Sequence, residues 1–290
     1  MTALPALAQN RLAAPAHEEE KHAAASPAPA EVERPTADLT VTALNLYYSK
    51  GVANSRNSIV IQPSVTVGYK DFSINLWGNL DTNPYPLNNP NNKKASTWTE
   101  TDATVAYNET FGSVNIGLSY TYNGNGSTNA NGRDQHDLGL TLGLTTLLKP
   151  TLNVYYMFDN AQRWYFMLGV GHTVEFNKIV SLKLAASAAY MVSDVDPSAL
   201  DGGIQRNKTD SFGNILPERY NNFLDGMIGA SLPIKITRYF TITPQICYAF
   251  PLGRDAENYM KNNSYTDTSM NFSDKPGSFI IGGIAASFTF

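Results

Sequence analysis

The sequence predicts an all-β protein: a transmembrane antiparallel up-and-down β-barrel of about twelve strands behind a disordered N-terminal segment. Three observations predict it. Segments of alternating apolar and polar residues recur along the chain, the links between them take turns at being short and long, and aromatic residues gather at both ends of the segments.

Composition sets the frame. The chain has 290 residues, of which 42% are hydrophobic and only 16% charged. A soluble domain carries charge on about a quarter of its residues, so this surface is short of charge. The apolar content is too high for a disordered chain. No run of about 18 apolar residues occurs, which excludes transmembrane helices. A net charge of -4, a pI near 5.6 and the lack of a basic cluster argue against nucleic-acid binding. The single cysteine, Cys247, excludes an internal disulfide and a multi-cysteine metal site.

At the N-terminus, Ala6-Leu7-Ala8 has the small-x-small form of a signal-peptidase site, so residues 1–8 read as a signal-peptide remnant. Residues 9–38 are rich in Ala, Pro and Glu, including Glu18-Glu19-Glu20 and Pro27-Ala28-Pro29. Such a stretch buries too little apolar area to offset its ordering entropy and reads as a flexible periplasmic tether. The barrel is expected over 39–290.

The predicted strands run over 39–48, 58–68, 72–80, 99–108, 113–122, 137–146, 151–158, 164–175, 179–190, 221–231, 239–249 and 278–290. In the second, Val65 and Val67 oppose Ser64, Thr66 and Gly68. In the third, Phe72, Ile74 and Leu76 oppose Ser73, Asn75 and Trp77. Val114, Ile116, Leu118, Tyr120 and Tyr122 share one face of the fifth, and Leu138, Leu140, Leu142 and Leu144 one face of the sixth. The last sets Ile280, Ile284, Ala286, Phe288 and Phe290 against Gly283, Ala285, Ser287 and Thr289. About ten residues per segment cross the hydrocarbon layer when tilted.

Short links fall at 69–71, 109–112, 147–150, 176–178 and 232–238; long polar ones fall at 49–57, 81–98, 123–136, 191–220 and 250–277. Only Asp159–Arg163 blurs the alternation. One trimmed and one elaborated end is the pattern of an outer-membrane barrel, and an even strand count puts both termini on the trimmed, periplasmic side.

Tyr47, Tyr48, Tyr120, Tyr122, Phe158, Trp164, Tyr190, Tyr248 and Phe250 sit beside long links. Tyr69, Tyr107, Phe176, Tyr239, Phe240, Phe288 and Phe290 sit beside short ones. Two bands of amphipathic rings match the interfacial girdles of a membrane barrel. The terminal Phe288-Thr289-Phe290 resembles the signal read by outer-membrane insertion machinery.

Asn45-Leu46-Tyr47-Tyr48-Ser49-Lys50-Gly51, then Gln62-Pro63, then Trp77-Gly78-Asn79-Leu80-Asp81 resemble the opening of the TorF-type porin family. In that family a Tyr-x-x-(Lys/Arg)-Gly turn, a Gln-Pro hairpin and a Trp-Gly-(Ser/Asn)-x-x-Asp strand end follow one another; the last is one residue shorter here. Thr99-Glu100-Thr101-Asp102 resembles its acidic strand opening. The resemblance is sharpest over residues 44–122. It implies a barrel with channel activity and carries no catalytic residues.

The residues point away from an enzyme. His136 is followed by Asp137-Leu138 and His172 by Thr173-Val174, neither of which makes a nucleophile–base pair. His17 and His22 lie in the tether, and the Asn/Gly-rich 123–127 lacks the spaced carboxylates that calcium needs. No cofactor and no metal site is expected. Strand parity turns Glu100, Asp102, Asp137, Lys183 and Asp225 inward, with Asn75, Asn115, Asn153 and Gln245; Cys247 has the same parity. Carboxylates outnumber lysines on that face, which favours cations in a water-filled lumen; in a plugged interior the same groups would pair with one another. Residues 191–220, with Asp194-Val195-Asp196-Pro197 and Gly202-Gly203, are the first candidate for an inward-folding loop.

The sequence therefore predicts a porin-like channel for passive diffusion of small hydrophilic solutes or ions in the bacterial outer membrane. Its alternative is a narrow or closed barrel that binds through long extracellular loops. The expected partners are outer-membrane lipid, the barrel-insertion machinery and small solutes or ions, with no nucleic acid, and a monomer is favoured over an oligomer.

Overall fold

A computed structural model describes residues 34–55, 57–84, 96–125, 134–159, 162–193, 208–209, 215–216, 219–264 and 272–290. The signal remnant, most of the tether and the Asp194–Gly203 stretch lie outside the described residues.

Twelve antiparallel strands form the wall: β1 Thr36–Leu44, β2 Val60–Tyr69, β3 Phe72–Asp81, β4 Thr97–Phe111, β5 Val114–Asn125 and β6 Gln135–Leu144, followed by β7 Thr151–Phe158, β8 Arg163–Glu175, β9 Ser181–Ser193, β10 Asn221–Ser231, β11 Phe240–Pro251 and β12 Phe279–Thr289. Each pairs with its neighbours in sequence, and β1 also pairs with β12 from Asp38↔Thr289 to Leu44↔Gly283. That last ladder closes the sheet and leaves no unpaired edge, the condition for crossing lipid with strands.

Period two decides which side chain goes where. Val65, Val67, Ile74, Leu76, Leu118, Leu138, Leu142, Leu168, Ile228, Ile246 and Ile280 are exposed on the outside. Ser73, Asn75, Thr104, Thr121, Asn123 and Asn153 are buried on the inside. A soluble monomer rarely shows a contiguous apolar surface beyond a few hundred Å². Here it encircles the molecule, and hydrocarbon is the solvent that suits it. Rings meet at both rims. Phe72 packs on Tyr107 at 5.0 Å and Phe288 on Phe290 at 5.5 Å at the short-turn end, and Tyr156 packs on Trp164 at 4.6 Å at the long-loop end.

The described structure departs from the sequence expectation in three places. First, β1 begins at Thr36, inside the expected tether, and ends at Leu44 and not at residue 48. Asn45 ends it: its amide side chain donates to the Ile280 carbonyl at 3.0 Å and accepts from the Gly282 N–H at 2.7 Å. Second, Tyr47 and Tyr48 are consequently not girdle residues. They are buried inside the barrel. Third, the link after β11 contains a helix, α1 Arg254–Asn263, which buries Ala256, Tyr259 and Met260.

Closure depends on one close approach. A Cβ on Gly283 would lie 2.0 Å from the Ala43 carbonyl oxygen and 2.9 Å from the Leu44 Cα, both backbone atoms of β1. Gly283→Ala is therefore expected to destabilise the barrel by about 1–3 kcal/mol through overpacking. The neighbouring Gly282→Ala, whose added Cβ would lie 3.8 Å from the Gln245 carbonyl oxygen, is expected to be tolerated. The urea midpoint of each variant in lipid vesicles, read by heat-modifiable gel mobility, checks this; equal midpoints would refute it.

Candidate functional site

The site is the lumen at the long-loop end, where the chain between β1 and β2 turns inward. Tyr48–Ser49 pairs with Val52–Ala53 around Lys50 (φ 48°) and Gly51 (φ 81°). Two consecutive left-handed residues make the two-residue turn whose twist suits a hairpin. The Tyr47 N–H donates to Ser55 Oγ at 2.8 Å and the Asn54 N–H to the Tyr47 carbonyl at 2.7 Å, which lengthens the hairpin. Gly51 has a second reason to be glycine: a Cβ there would meet Leu224 Cδ2 at 2.8 Å.

This hairpin fills the barrel mouth. Leu46, Tyr47, Tyr48 and Ala53 form one buried apolar cluster with wall residues such as Tyr165, Met167, Met191 and Met227, and with Tyr259 and Met260 of α1. Tyr47 packs on Trp77 of β3 with ring centroids 5.5 Å apart, and Tyr48 on Phe279 of β12 at 5.6 Å. The Ala53 N–H donates to Ser264 Oγ at 3.0 Å, tying the hairpin to the end of α1.

Polar contacts clamp it to the wall. The Tyr47 hydroxyl donates to Glu100 Oε2 at 2.8 Å. The Tyr48 hydroxyl donates to Asp225 Oδ2 at 2.9 Å, and that of Tyr165 to Asp225 Oδ1 at 3.2 Å. Lys50 Nζ lies 2.5 Å from Asp137 Oδ2. Burial first, and then the charge of Asp225, push the Tyr48 phenol well above its ordinary value, so it remains a hydrogen-bond donor.

Local backbone geometry brings Asp225 to this place. The register between β9 and β10 shifts between Ala188 and Tyr190, so Leu224 and Asp225 together oppose Ala189. A bulge of this kind re-aims side chains. Leu224 is 0% and Asp225 1% exposed, so both are turned inward where strict alternation would send one to lipid.

The other residues assigned inward by parity divide into two tiers. Asp102 is fully buried on β4, and Asp137 and Glu100 lie near the hairpin. Toward the short turns, Asn75 donates to Ser64 and Thr66 at 2.8 Å each, Asn115 donates to Thr110 at 3.1 Å, and Asn153 accepts from Thr141 at 2.9 Å. Lys183 and Gln245 are half-buried and both pair in register with Ser231. Cys247 is buried within the apolar cluster. Phe288 and Phe290 are exposed on the turn-side rim. His136 stacks on Tyr120 and Phe158 at the opposite rim, and His172 Nδ1 lies 3.1 Å from the Leu147 carbonyl oxygen. Among the described residues no group of three or more His, Cys, Asp or Glu is placed to hold a metal.

Sequence reasoning missed the hairpin and its receptors Tyr155, Met157 and Tyr165. Their parity was readable, since Tyr155 and Met157 alternate with Val154 and Tyr156 in step with Asn153. Their apolar character disguised it. The hairpin had a signal too: a residue followed by Gly between two short extended pairs.

No protein-family model matches the sequence, and no curated protein matches it. Among solved structures, the chain is similar to the NanC porin at 12% identity, with 87% of this chain and 98% of that one covered and a TM-score of 0.48. It is also similar to an outer membrane channel from Pseudomonas putida F1, at 10% identity over 91% and 100% of the two chains with a TM-score of 0.46. The barrel assignment rests on the strand pairing described above.

Tyr48→Phe removes one of the two tyrosine donors to a buried carboxylate. It is expected to cost about 1.5 to 3 kcal/mol, the range for hydrogen bonds to charged groups. Urea unfolding in vesicles followed by tryptophan fluorescence measures it; a loss under about 0.5 kcal/mol, the low end for an ordinary bond, would show the clamp to be unimportant.

Proposed function

We propose that the protein is a bacterial outer-membrane channel for passive diffusion of small hydrophilic solutes or ions, with both termini in the periplasm. The observation that carries this reading is the lining. Below the hairpin the inward faces hold small or polar side chains such as Ser64, Thr66, Ser119, Thr141, Ser187 and Thr243, while the outside is apolar. A barrel that served only as an anchor would have no need of a polar lumen.

Glu100, Asp102, Asp137 and Asp225 stand at the long-loop end of the lumen against Lys50 and Arg163, an excess of negative charge that favours cations. Phe288 and Phe290 act as the insertion signal. The motif resemblance over residues 44–122 supports kinship with TorF-type porins. The chain performs no chemistry of its own, and it works as a monomer among outer-membrane lipids.

The buried hairpin favours a second reading, a closed barrel that binds a partner through its loops. Conductance separates the two. Pure refolded protein in a planar bilayer is expected to give discrete current steps, and a potassium chloride gradient a reversal potential of the sign for potassium over chloride. Replacing residues 46–55 by a short Gly-Ser link is expected to raise the step size. Steps only in that variant would favour the closed barrel, and steps in neither would overturn the channel.

A further inference from the structure

Lys50 reaches the wall at a place with three recognition elements. Its ammonium nitrogen lies 2.5 Å from Asp137 Oδ2, 3.3 Å from Met157 Sδ and 5.4 Å from the centroid of the Tyr155 ring. A carboxylate, a polarizable sulfur and an aromatic face together suit an organic ammonium ion. We propose that Asp137, Met157 and Tyr155 form a binding subsite for a primary alkylammonium group, which Lys50 fills as a tethered occupant.

The wall alone builds this subsite. Asp137 and Met157 are register partners across β6 and β7, and Tyr155 stands two residues from Met157 on the same face. Asp137 is only 6% exposed, and among the described residues its Oδ1 accepts no hydrogen bond. One acceptor is thus spare for a ligand that brings more than one N–H, as an ammonium does. Lys50, by contrast, belongs to the tip of an inserted hairpin, and its side chain is 23% exposed.

A buried carboxylate left without a cation is costly. When the hairpin tip withdraws, Asp137 loses its cation and the subsite is open to another. A solute carrying a primary ammonium competes with Lys50, and by linkage its binding favours the withdrawn hairpin. The subsite names the solute class of the proposed channel and rests on that reading only for the route by which solutes arrive.

The test uses the full refolded chain in vesicles and the one native thiol. Cys247 is 3% exposed and packed in the same cluster as Tyr48, so its reaction with a membrane-impermeant maleimide reports displacement of the hairpin. Lys50→Ala is expected to label at least about tenfold faster than wild type, the low end for loss of one hydrogen bond between charged groups. Lys50→Ala no longer competes for the subsite, and the space it vacates lies between the hairpin tip and the wall groups Asp137, Met157 and Tyr155. n-Propylammonium chloride supplies the atoms the substitution removes, is held more tightly with the hairpin closed over it, and is expected to bring the rate back near wild type, whereas sodium chloride of equal ionic strength is not. Lys50→Ala combined with Asp137→Asn is expected to be insensitive to the amine. Heat-modifiable mobility confirms that each variant is folded.

Unchanged labelling in Lys50→Ala, or no difference between amine and sodium, overturns the subsite. Amine rescue in a protein that passes no current upholds the subsite and overturns the channel. Current without rescue does the reverse.

Discussion

The structure depends on the ladder between β1 and β12. Hydrocarbon offers no partner for a backbone N–H or carbonyl, so a spanning sheet has to end on itself. Pairing from Asp38↔Thr289 to Leu44↔Gly283 does that, and Gly283 lets the two backbones meet. Once the sheet is closed, its two faces have different solvents. Alternation then becomes a sorting rule, with Leu, Ile and Val to lipid and Ser, Thr and Asn to the interior.

A closed twelve-stranded wall leaves an interior that side chains of the wall do not fill by themselves at the long-loop end. The chain fills it with its own hairpin. Leu46, Tyr47, Tyr48 and Ala53 supply apolar volume, and Asp225 and Asp137 are compensated by Tyr48, Tyr165 and Lys50. The same insertion that gives the barrel a packed core narrows its lumen, so the stability of the barrel and the width of its lumen are coupled through one element. The bulge at Leu224–Asp225 is part of that coupling, because it brings a carboxylate and a methyl contact for Gly51 to the same spot.

Much of this fold was legible in the sequence, because period two repeated across many segments is hard to mistake and the alternation of link lengths is independent of it. The strand over 151–158 was read with its observed bounds, and that over 221–231 likewise. The inward hairpin was not legible as such. Apolar alternation changes parity at Ala43-Leu44, from Leu39, Val41 and Ala43 to Leu44, Leu46 and Tyr48, but that break alone does not say that the chain turns into the lumen at Asn45; the turn depends on the Gly282 and Ile280 backbone of a distant strand. Asp225 was assigned inward correctly by parity, but the bulge that also buries Leu224 is a register feature between strands. α1 was hidden because its amphipathic face matches an interior created only by the closed barrel.

The Tyr48–Ala53 hairpin sits inside a closed barrel, clamped to its wall. Nuclear Overhauser contacts in detergent micelles test it most directly. Cross-peaks are expected between the Tyr48 and Phe279 rings and between the Lys50 side chain and the Met157 methyl group. A folded barrel in which Lys50 and Tyr48 show only contacts to their sequence neighbours would contradict it.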